Sequence, residues 1–414
     1  MSEEKTKSFT VSKQMVYDSY LKVCSKDGAA GIDSETIDMF NANLSNNLYK
    51  VWNRMSSGSY FPPAVRTVLI PKKQGGVRPL GIPTVSDRIA QGVVKDYVEP
   101  LLEPLFHSSS FGYRPGRSAH DALEQCQHQC IHYAWVIDLD IKGFFDNISH
   151  EWMMKMVSHH TKEKWVLLYI ERWLKAGIEQ ADGSISARTK GTPQGGVISP
   201  LLANLYLHHA FDMWMSRHFA NNPFERYADD IVVHCSSKEE AERLLMSIRE
   251  RLQSFCLELH PQKTKLVYCK NYQRKEEHEH NSFTFLSYSF QPRARANKFG
   301  RHTKFMVFSP AICCKAKAFI REKIRAVFNP RDTTISLERT AAKLNPKVRG
   351  WLNYYSRYNK RTAAAVFEYL NMLIRRWIEE KYRLRNKKKV LEAYQNQVQQ
   401  ERKLFYHWQQ GIVH

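Results

Sequence analysis

The sequence lacks a long apolar run and an internal repeat. Nowhere do about 18 apolar residues follow one another, the length that a membrane-spanning helix requires. The first residues, Met1-Ser2-Glu3-Glu4-Lys5, are polar and acidic, whereas a signal peptide begins with basic residues and continues with apolar ones. We therefore expect a soluble, cytoplasmic protein with no membrane partner.

Cysteine is sparse, and no Cys-x-x-Cys pair occurs. The eight cysteines are scattered over 414 residues, so they are expected to be reduced thiols and not a disulfide framework. Cys126, His128, Cys130 and His132 alternate closely enough to suggest a metal site, but zinc sites normally combine two ligand clusters. Burial on a helix face or exposure at the surface is the simpler interpretation of these four residues.

Acidic residues are outnumbered by basic ones. The chain has 62 Lys and Arg against 41 Asp and Glu, a formal net charge of +21. Such a charge predicts a broad positive field that attracts a polyanion, and nucleic acid is the leading candidate. The alternatives are a solvated basic surface without a partner and a surface that contacts acidic lipid. A hydrophobic content of 43% is ample for the cores of two or three packed units.

Strand and helix signals alternate through residues 61–290. Residues 65–70 and 77–82 predict a hairpin around a Gly-rich turn, and residues 135–140 predict a strand. Residues 224–235 are apolar on both sides of Asp229-Asp230, which predicts a strand, a tight turn and a second strand with the acidic pair at the tip. This part of the chain is therefore expected to form an α+β unit.

The flanking regions have helical patterns. Residues 1–60 predict an N-terminal helical extension. Beyond Pro310 the strand signals vanish, so residues 291–385 predict a separate basic helical domain. Residues 386–414 predict a basic C-terminal tail that includes Lys387-Lys388-Lys389.

Three aspartates carry the candidate chemistry. Asp229 and Asp230 are adjacent, and neighbouring carboxylates raise each other's pKa unless a cation neutralises them. Asp140 ends the apolar strand of residues 135–140. If Asp140 lies beside Asp229, the three form a cage of hard oxygen ligands suited to two Mg²⁺ ions roughly 3.5 to 4 Å apart. Asp is also common in turns for backbone reasons alone, which leaves a structural role open.

Several blocks of the sequence resemble reverse transcriptases of the group II intron type. Tyr227-Ala228-Asp229-Asp230 and residues 140–148 (Asp-Ile-Lys-Gly-Phe-Phe-Asp-Asn-Ile) are similar to the palm motifs of that family. The other similar blocks, in the family's order, are residues 70–73 with 77–83, 111–115, 191–196 with 199–204, and 349–355. One departure is Ser287, at a position where the family generally has glycine in the segment that supports the primer end.

The resemblance implies a right-hand polymerase with α+β fingers and palm and an all-helical thumb or maturase domain. It implies that Asp140, Asp229 and Asp230 are the catalytic carboxylates and metal ligands. The residues implied to contact the incoming nucleotide are Lys72, Arg78, Phe145, Gln194 and Lys263. The ring of Phe145 would exclude a 2′-hydroxyl, which predicts use of dNTPs. Apolar core packing is the alternative role for that ring.

Arginine and aromatic residues interleave in the predicted helical domain. Such a mixture is suited to packing aromatics inward while cationic groups grip phosphates outward. The arginines expected to contact a template–primer duplex or a structured RNA are Arg349, Arg357, Arg361, Arg375 and Arg376.

Together these features predict an RNA-directed DNA polymerase that adds dNTPs to a primer 3′ end. The resemblance implies two Mg²⁺ ions, with Mn²⁺ as a substitute, an RNA template, a DNA or RNA primer and a cognate structured RNA. The main interpretation is an intron-encoded protein that also assists splicing. The alternatives are a domesticated enzyme that copies a noncoding RNA, for example in antiviral defence, and a non-catalytic maturase. Because no His- and Cys-rich segment follows the thumb region, endonuclease cleavage is not expected.

Overall fold

The structure, a computed structural model, describes residues 8–26, 28–71, 77–180, 182–296 and 304–413. Residues 1–267 and residues 268–414 form two separate units of the fold. The predicted boundary between residues 290 and 291 therefore differs from the boundary between the two units.

Several helices of the first unit begin at a serine or threonine that caps them. The side chains of Ser12, Thr84, Ser118 and Ser237 each accept a hydrogen bond from the backbone N–H three residues further on. The cap at Ser237 confirms the predicted helix start. The helices of this unit are α1 (Lys13–Cys24), α2 (Ile37–Ala42), α3 (Leu44–Ser57), α4 (Val85–Leu102), α5 (Ala119–His132), α6 (Phe144–Asn147), α7 (His150–His160), α8 (Lys164–Lys175), α9 (Ser199–Leu207), α10 (Met213–His218) and α11 (Lys238–Ser254).

Two four-stranded sheets lie among these helices. In chain order, the strands are β1 (Val65–Pro71), β2 (Val77–Ile82), β3 (Trp135–Asp140), β4 (Ile178–Glu179), β5 (Ile185–Ser186), β6 (Phe224–Tyr227), β7 (Asp230–Cys235) and β8 (Lys265–Tyr268). One sheet has the order β2-β1-β4-β5 and contains the predicted hairpin, with Arg78 opposite Ile70. The other sheet has the order β6-β7-β3-β8 and joins the two strands that end in aspartates.

The two central strands of the second sheet carry apolar side chains. Val136, Ile137, Val232 and Val233 are all fully buried. Helix α5 packs against β6 and β7, while α11 packs against β3 and β7. Burial of apolar side chains on both faces therefore holds β3 and β7 in place, and with them the aspartates at their ends.

The second unit starts with strands. They are β9 (Phe283–Phe285), β10 (Tyr288–Ala296) and β11 (Lys304–Ile312), which pair in the order β11-β10-β9. The turn between β9 and β10 has positive φ at Leu286 (50°) and Ser287 (67°). Glycine adopts this conformation without strain, so Ser287 is the less favourable residue at the position where the sequence departs from the family pattern.

Helices make up the remainder of the second unit. They are α12 (Cys314–Val327), α13 (Leu337–Tyr355), α14 (Lys360–Lys381), α15 (Lys387–Gln400) and α16 (Tyr406–Gln409). The helical C-terminal region is thus as predicted, although three strands precede it. Residues 386–414 differ from the expected tail: α15 and α16 bring Tyr394 and Trp408 into the buried core.

Among the described residues, no helix combines the length and the apolar character needed to cross a membrane.

Candidate active site

The β6–β7 hairpin presents the acidic pair at its turn. Tyr227 pairs with Asp230, so Ala228 and Asp229 form the two-residue connection, and Ala228 has a positive φ of 58°. On the other side of β7, strand β3 places Asp140 directly opposite Asp230. Side chains at directly opposite positions of neighbouring strands have Cβ atoms about 4.5 to 5.5 Å apart. The structure therefore brings Asp140, Asp229 and Asp230 together at one end of the sheet.

The electrostatics of these carboxylates favour a cation. Burial raises the pKa of Asp229 above its ordinary value, Arg78 acts to lower it, and the charge of Asp140 raises it further. Lys263 Nζ lies 3.4 Å from each carboxylate oxygen of Asp140. Both side chains are about half exposed, so solvent screens this ion pair and Lys263 can turn towards another anion.

A cavity of about 600 Å³ opens beside the aspartates. Among the residues that line it are Arg78, Tyr113, Asp140, Phe145, Gln194, Asp229 and Lys263. Four of the five residues predicted to contact a nucleotide thus share one cavity with two of the carboxylates. Lys72, the fifth, lies outside the described residues. Tyr113 lies within a block that resembles the family, but no role was predicted for it.

The two phenylalanines of α6 have different surroundings. Phe144 is buried and its ring meets that of Phe145 edge-on at 5.4 Å between centroids. Phe145 is only partly buried and lines the cavity. Its carbonyl accepts a hydrogen bond from Thr192 N at 2.8 Å, next to Gly191, whose missing side chain would otherwise press on the Phe145 backbone. Both residues line the cavity, but Phe144 is buried in the core, whereas Phe145 is the more exposed of the two towards the candidate substrate space.

A buried polar network holds the loop that carries Gln194. Gln91 Oε1 accepts hydrogen bonds from Val197 N at 2.7 Å and Ile198 N at 3.3 Å. Gln91 Nε2 in turn donates to Asp87 at 2.9 Å. On the other side, Gly81 N donates to the Gln194 carbonyl at 2.7 Å. The loop is therefore fastened to both β2 and α4, and neither Gln91 nor Asp87 was singled out from the sequence.

Asp87 makes the stability of the first unit pH-dependent. Burial raises its pKa from 3.8 to about 6, although hydrogen bonds from Trp173, Gln91 and Tyr60 oppose the rise. Because the folded state binds the proton more tightly, this contribution is present below pH 3.8 and is lost as the pH rises through 6. We expect Asp87→Asn to gain about 3 kcal/mol of unfolding free energy relative to wild type between pH 4 and 7, since one pKa unit is about 1.4 kcal/mol.

Urea titrations followed by tryptophan fluorescence at several pH values would measure this relative gain. A difference between the two proteins that stays constant from pH 4 to pH 7 would contradict it.

A buried ion pair supports the turn that carries Asp229. Arg226 and Asp212 are both completely buried, with two hydrogen bonds of 2.7 and 2.5 Å between them. Arg226 also donates to the carbonyl of Ala228 at 3.1 Å and to Asn204 at 3.0 Å. A side chain at Gly112 would collide with the backbone nitrogen of Ala228. The turn that carries Asp229 is therefore held by Arg226 and packed closely against Gly112.

Sequence patterns did not single out Arg226. It is a charged residue in a strand read as apolar, and its partner Asp212 lies in a π-helical segment, His208–Asp212, between α9 and α10. The only local signal is the charge itself, because a buried arginine requires a carboxylate or carbonyl partner.

The predicted arginines of the second unit do not all converge. Arg357 and Arg361 line one cavity of about 540 Å³ with Lys360, where α13 gives way to α14. Arg349 lies over the ring of Tyr406 and Arg375 over that of Tyr394, at 4.9 and 5.6 Å from the centroids. Of the five predicted arginines, Arg357 and Arg361 thus share one cavity.

Comparison with known families agrees with the sequence blocks. Residues 70–290 match the family model described as reverse transcriptase (RNA-dependent DNA polymerase), and residues 317–395 match the group II intron maturase-specific domain. The group II intron-encoded protein LtrA of Lactococcus lactis subsp. cremoris is 36% identical over 203 residues, which cover 48% of this chain and 33% of LtrA. Protein YkfC of Escherichia coli K12 is 36% identical over 194 residues, covering 46% of this chain and 50% of YkfC.

Among solved structures, a telomerase chain from Candida albicans aligns with a TM-score of 0.45 at 10% identity, covering 91% of this chain and 68% of that one. The match to the curated relatives spans between a third and a half of their length. The reverse transcriptase model covers more than half of the chain, so the chain belongs to the reverse transcriptase family, and a match to the group II intron maturase-specific domain follows it.

Proposed function

We propose that this protein is an RNA-directed DNA polymerase that adds dNTPs to a primer 3′ end. The observation that carries the proposal is the register of β3, β6 and β7, which gathers Asp140, Asp229 and Asp230 beside a cavity that also contains Arg78 and Lys263. Phosphoryl transfer needs positioning and neutralisation of charge and no nucleophilic side chain, and this set of residues supplies both.

The three aspartates fit a pair of Mg²⁺ ions, because they offer hard oxygen ligands that lie together at the end of the β3–β7 pair. Reverse transcriptases are in general metal-dependent polymerases. Bound metal ions would supply Lewis acidity at the primer hydroxyl and at the triphosphate, and Mn²⁺ can replace Mg²⁺ in such sites.

The other residues of the cavity bind and orient the substrate. Arg78 and Lys263 are placed to donate hydrogen bonds to phosphate oxygens, where charge-assisted bonds are strongest. Phe145 lines the part of the cavity where the sugar of the nucleotide would lie. The loop that carries Gln194 is held by Gly81 and Gln91 and lines the part where the base would lie.

A role in binding structured RNA is part of the proposal. It is supported by the maturase-specific domain, by the net charge of +21 and by the convergence of Arg357 and Arg361 with Lys360. Relatives include a protein described as group II intron-encoded. We propose that this chain likewise binds its intron RNA, assists splicing and copies that RNA.

Primer extension tests the polymerase activity. The purified chain is given an RNA template annealed to a DNA primer, dNTPs and Mg²⁺, with a DNA template in parallel. We expect extension on RNA that stops on addition of EDTA and returns with excess Mg²⁺. A protein that binds the template–primer but extends it with neither Mg²⁺ nor Mn²⁺ would instead be a non-catalytic maturase.

Phe145→Ala is expected to relax sugar discrimination. Removing the ring opens the space that a 2′-hydroxyl would occupy, so the preference for dNTPs over rNTPs should fall about 10- to 100-fold. The measurement is the ratio of kcat/KM for a dNTP and the matching rNTP. Phe145→Tyr retains the ring and serves as the control that keeps the preference. If the ratio of kcat/KM for dNTP and rNTP is unchanged in Phe145→Ala, Phe145 has only a packing role.

A further inference from the structure

Helix α5 turns two cysteines inward. Cys126 and Cys130 are one helical turn apart and both completely buried. His128 and His132 are exposed on another face of the same helix, with ring centroids 4.7 Å apart. The four residues that alternate in the sequence are thus divided between the protein interior and the surface.

The inward cysteines meet a histidine and a glutamate from the β6–β7 hairpin. Glu225 lies opposite Val232, and His234 follows two residues later, so both side chains leave the same face of the sheet. His234 Nε2 lies 2.7 Å from Glu225 Oε2, and both residues are completely buried. Ligand atoms of Cys126, Glu225 and His234 all lie within 4.8 Å of one another.

This cluster contains buried polar atoms that make no hydrogen bond. Glu225 Oε1 and His234 Nδ1 are buried and have no hydrogen-bond partner. A buried polar atom left unpaired is costly, because it has given up its hydrogen bonds to water. The cluster therefore has two buried polar atoms, Glu225 Oε1 and His234 Nδ1, that a bound ion could satisfy.

We propose that Cys126, Glu225 and His234 bind a divalent ion of the Zn²⁺ class, with Cys130 as the fourth ligand. Thiolate sulfur, imidazole nitrogen and carboxylate oxygen are the donors that Zn²⁺ takes in tetrahedral sites, whereas Mg²⁺ takes oxygen. Zinc–ligand distances of about 2.0 to 2.3 Å require the donor atoms to lie roughly 3.3 to 3.8 Å apart. Ligand atoms of Cys126, Glu225 and His234 lie within 4.8 Å of one another, so rotation of these three side chains would meet that requirement, and Cys130 follows Cys126 on the same helix face.

The ion would fasten α5 to the hairpin that carries Asp229. Helix α5 packs on β6 and β7, whereas the hydrogen bond between His234 and Glu225 lies within the hairpin itself. Binding releases the proton of each coordinating thiol, because the ligands are thiolate and neutral imidazole. The proposed site shares no residue with the three aspartates, and its ligands prefer a different metal ion.

Metal analysis of the intact protein tests the proposal. Protein purified from zinc-supplemented culture without chelator is expected to contain about one zinc ion per chain. Replacement of zinc by Co²⁺ should produce a thiolate-to-cobalt charge-transfer band and the visible bands of a tetrahedral site. A folded wild-type protein with neither zinc nor these bands would overturn the proposal and leave a metal-free Glu225–His234 ion pair.

Matched variants locate the ion. Cys126→Ser should lose the zinc and the charge-transfer band, and its Tm should no longer respond to a zinc chelator. Cys256→Ser removes an exposed thiol and should retain both signals. A double variant, His128→Gln with His132→Gln, removes the exposed imidazoles of α5. Loss of zinc in that double variant, with retention in Cys126→Ser, would place the ion on the surface and refute the buried site.

Discussion

Replacing Asp229 and Asp230 together with alanine is expected to lower kcat for primer extension by about 10³-fold or more, while binding of the template–primer is retained. The two carboxylates, with Asp140, are the hard oxygen donors gathered at the end of the β3–β7 pair. Without them, Asp140 would be the one carboxylate of the three left to hold the proposed metal ions that neutralise the transferred phosphate.

The double replacement should not unfold the protein. Burial raises the pKa of Asp229, which means that its charge costs free energy in the folded state. An alanine in its place removes that cost. Thermal unfolding should therefore be unchanged or slightly raised, and lost activity can be assigned to lost chemistry.

Glu258→Gln is the matched control for this experiment. Glu258 is an exposed carboxylate whose Oε2 lies 3.4 Å from Lys142 Nζ. Because both side chains are well exposed, loss of this ion pair should change neither stability nor extension rate. Wild-type extension by the Asp229 and Asp230 double variant would show that these residues do not hold the catalytic metals and would remove the basis of the polymerase proposal.

Arg226→Met is expected to destabilise the first unit by about 3 to 5 kcal/mol, because it leaves the Asp212 carboxylate buried without its partner. The same change removes the donor to the Ala228 carbonyl, which lies in the turn before Asp229. A chemical denaturation curve would show the first effect, and primer extension the second.

A compensating variant separates these two effects. In Arg226→Met with Asp212→Leu, both buried charges are gone, and such exchanges are often neutral for stability. The bond from Arg226 to Ala228 is still missing, so kcat should remain about 10- to 100-fold below wild type, since small displacements of reacting groups have costs of this size. If the stable double variant polymerises at the wild-type rate, Arg226 is only a structural residue and does not position the turn.

Local patterns predicted the elements that carry the candidate site. The apolar residues on both sides of Asp229-Asp230 and the strand of residues 135–140 predicted the β6–β7 hairpin and β3 because alternation and turn chemistry depend on near neighbours. The Ser237 cap was found for the same reason. By contrast, β10 and β11 escaped notice, since strand β10 has the sequence Tyr-Ser-Phe-Gln-Pro-Arg-Ala-Arg-Ala, in which arginine and proline interrupt the apolar signal.

Partners distant in the chain could not be predicted in this way. The sequence offered His128 and His132 as companions of Cys126 and Cys130, since all four alternate. A helix places residues two apart on different faces and residues four apart on the same face, which separates the histidines from the cysteines. Glu225 and His234, about 100 residues later, became their neighbours only because α5 packs on β6 and β7.

The sequence by itself determined the acidic turn, the order of the blocks that identify the family, and the positive charge that favours nucleic acid. The tertiary structure alone decided that Asp140 lies opposite Asp230, that Phe144 is buried whereas Phe145 is only half-buried, and that Arg226 holds the turn from a buried position. The physical reason is that turns and strands depend on neighbouring residues, whereas strand order, burial and ion pairing depend on contacts between segments far apart in the chain.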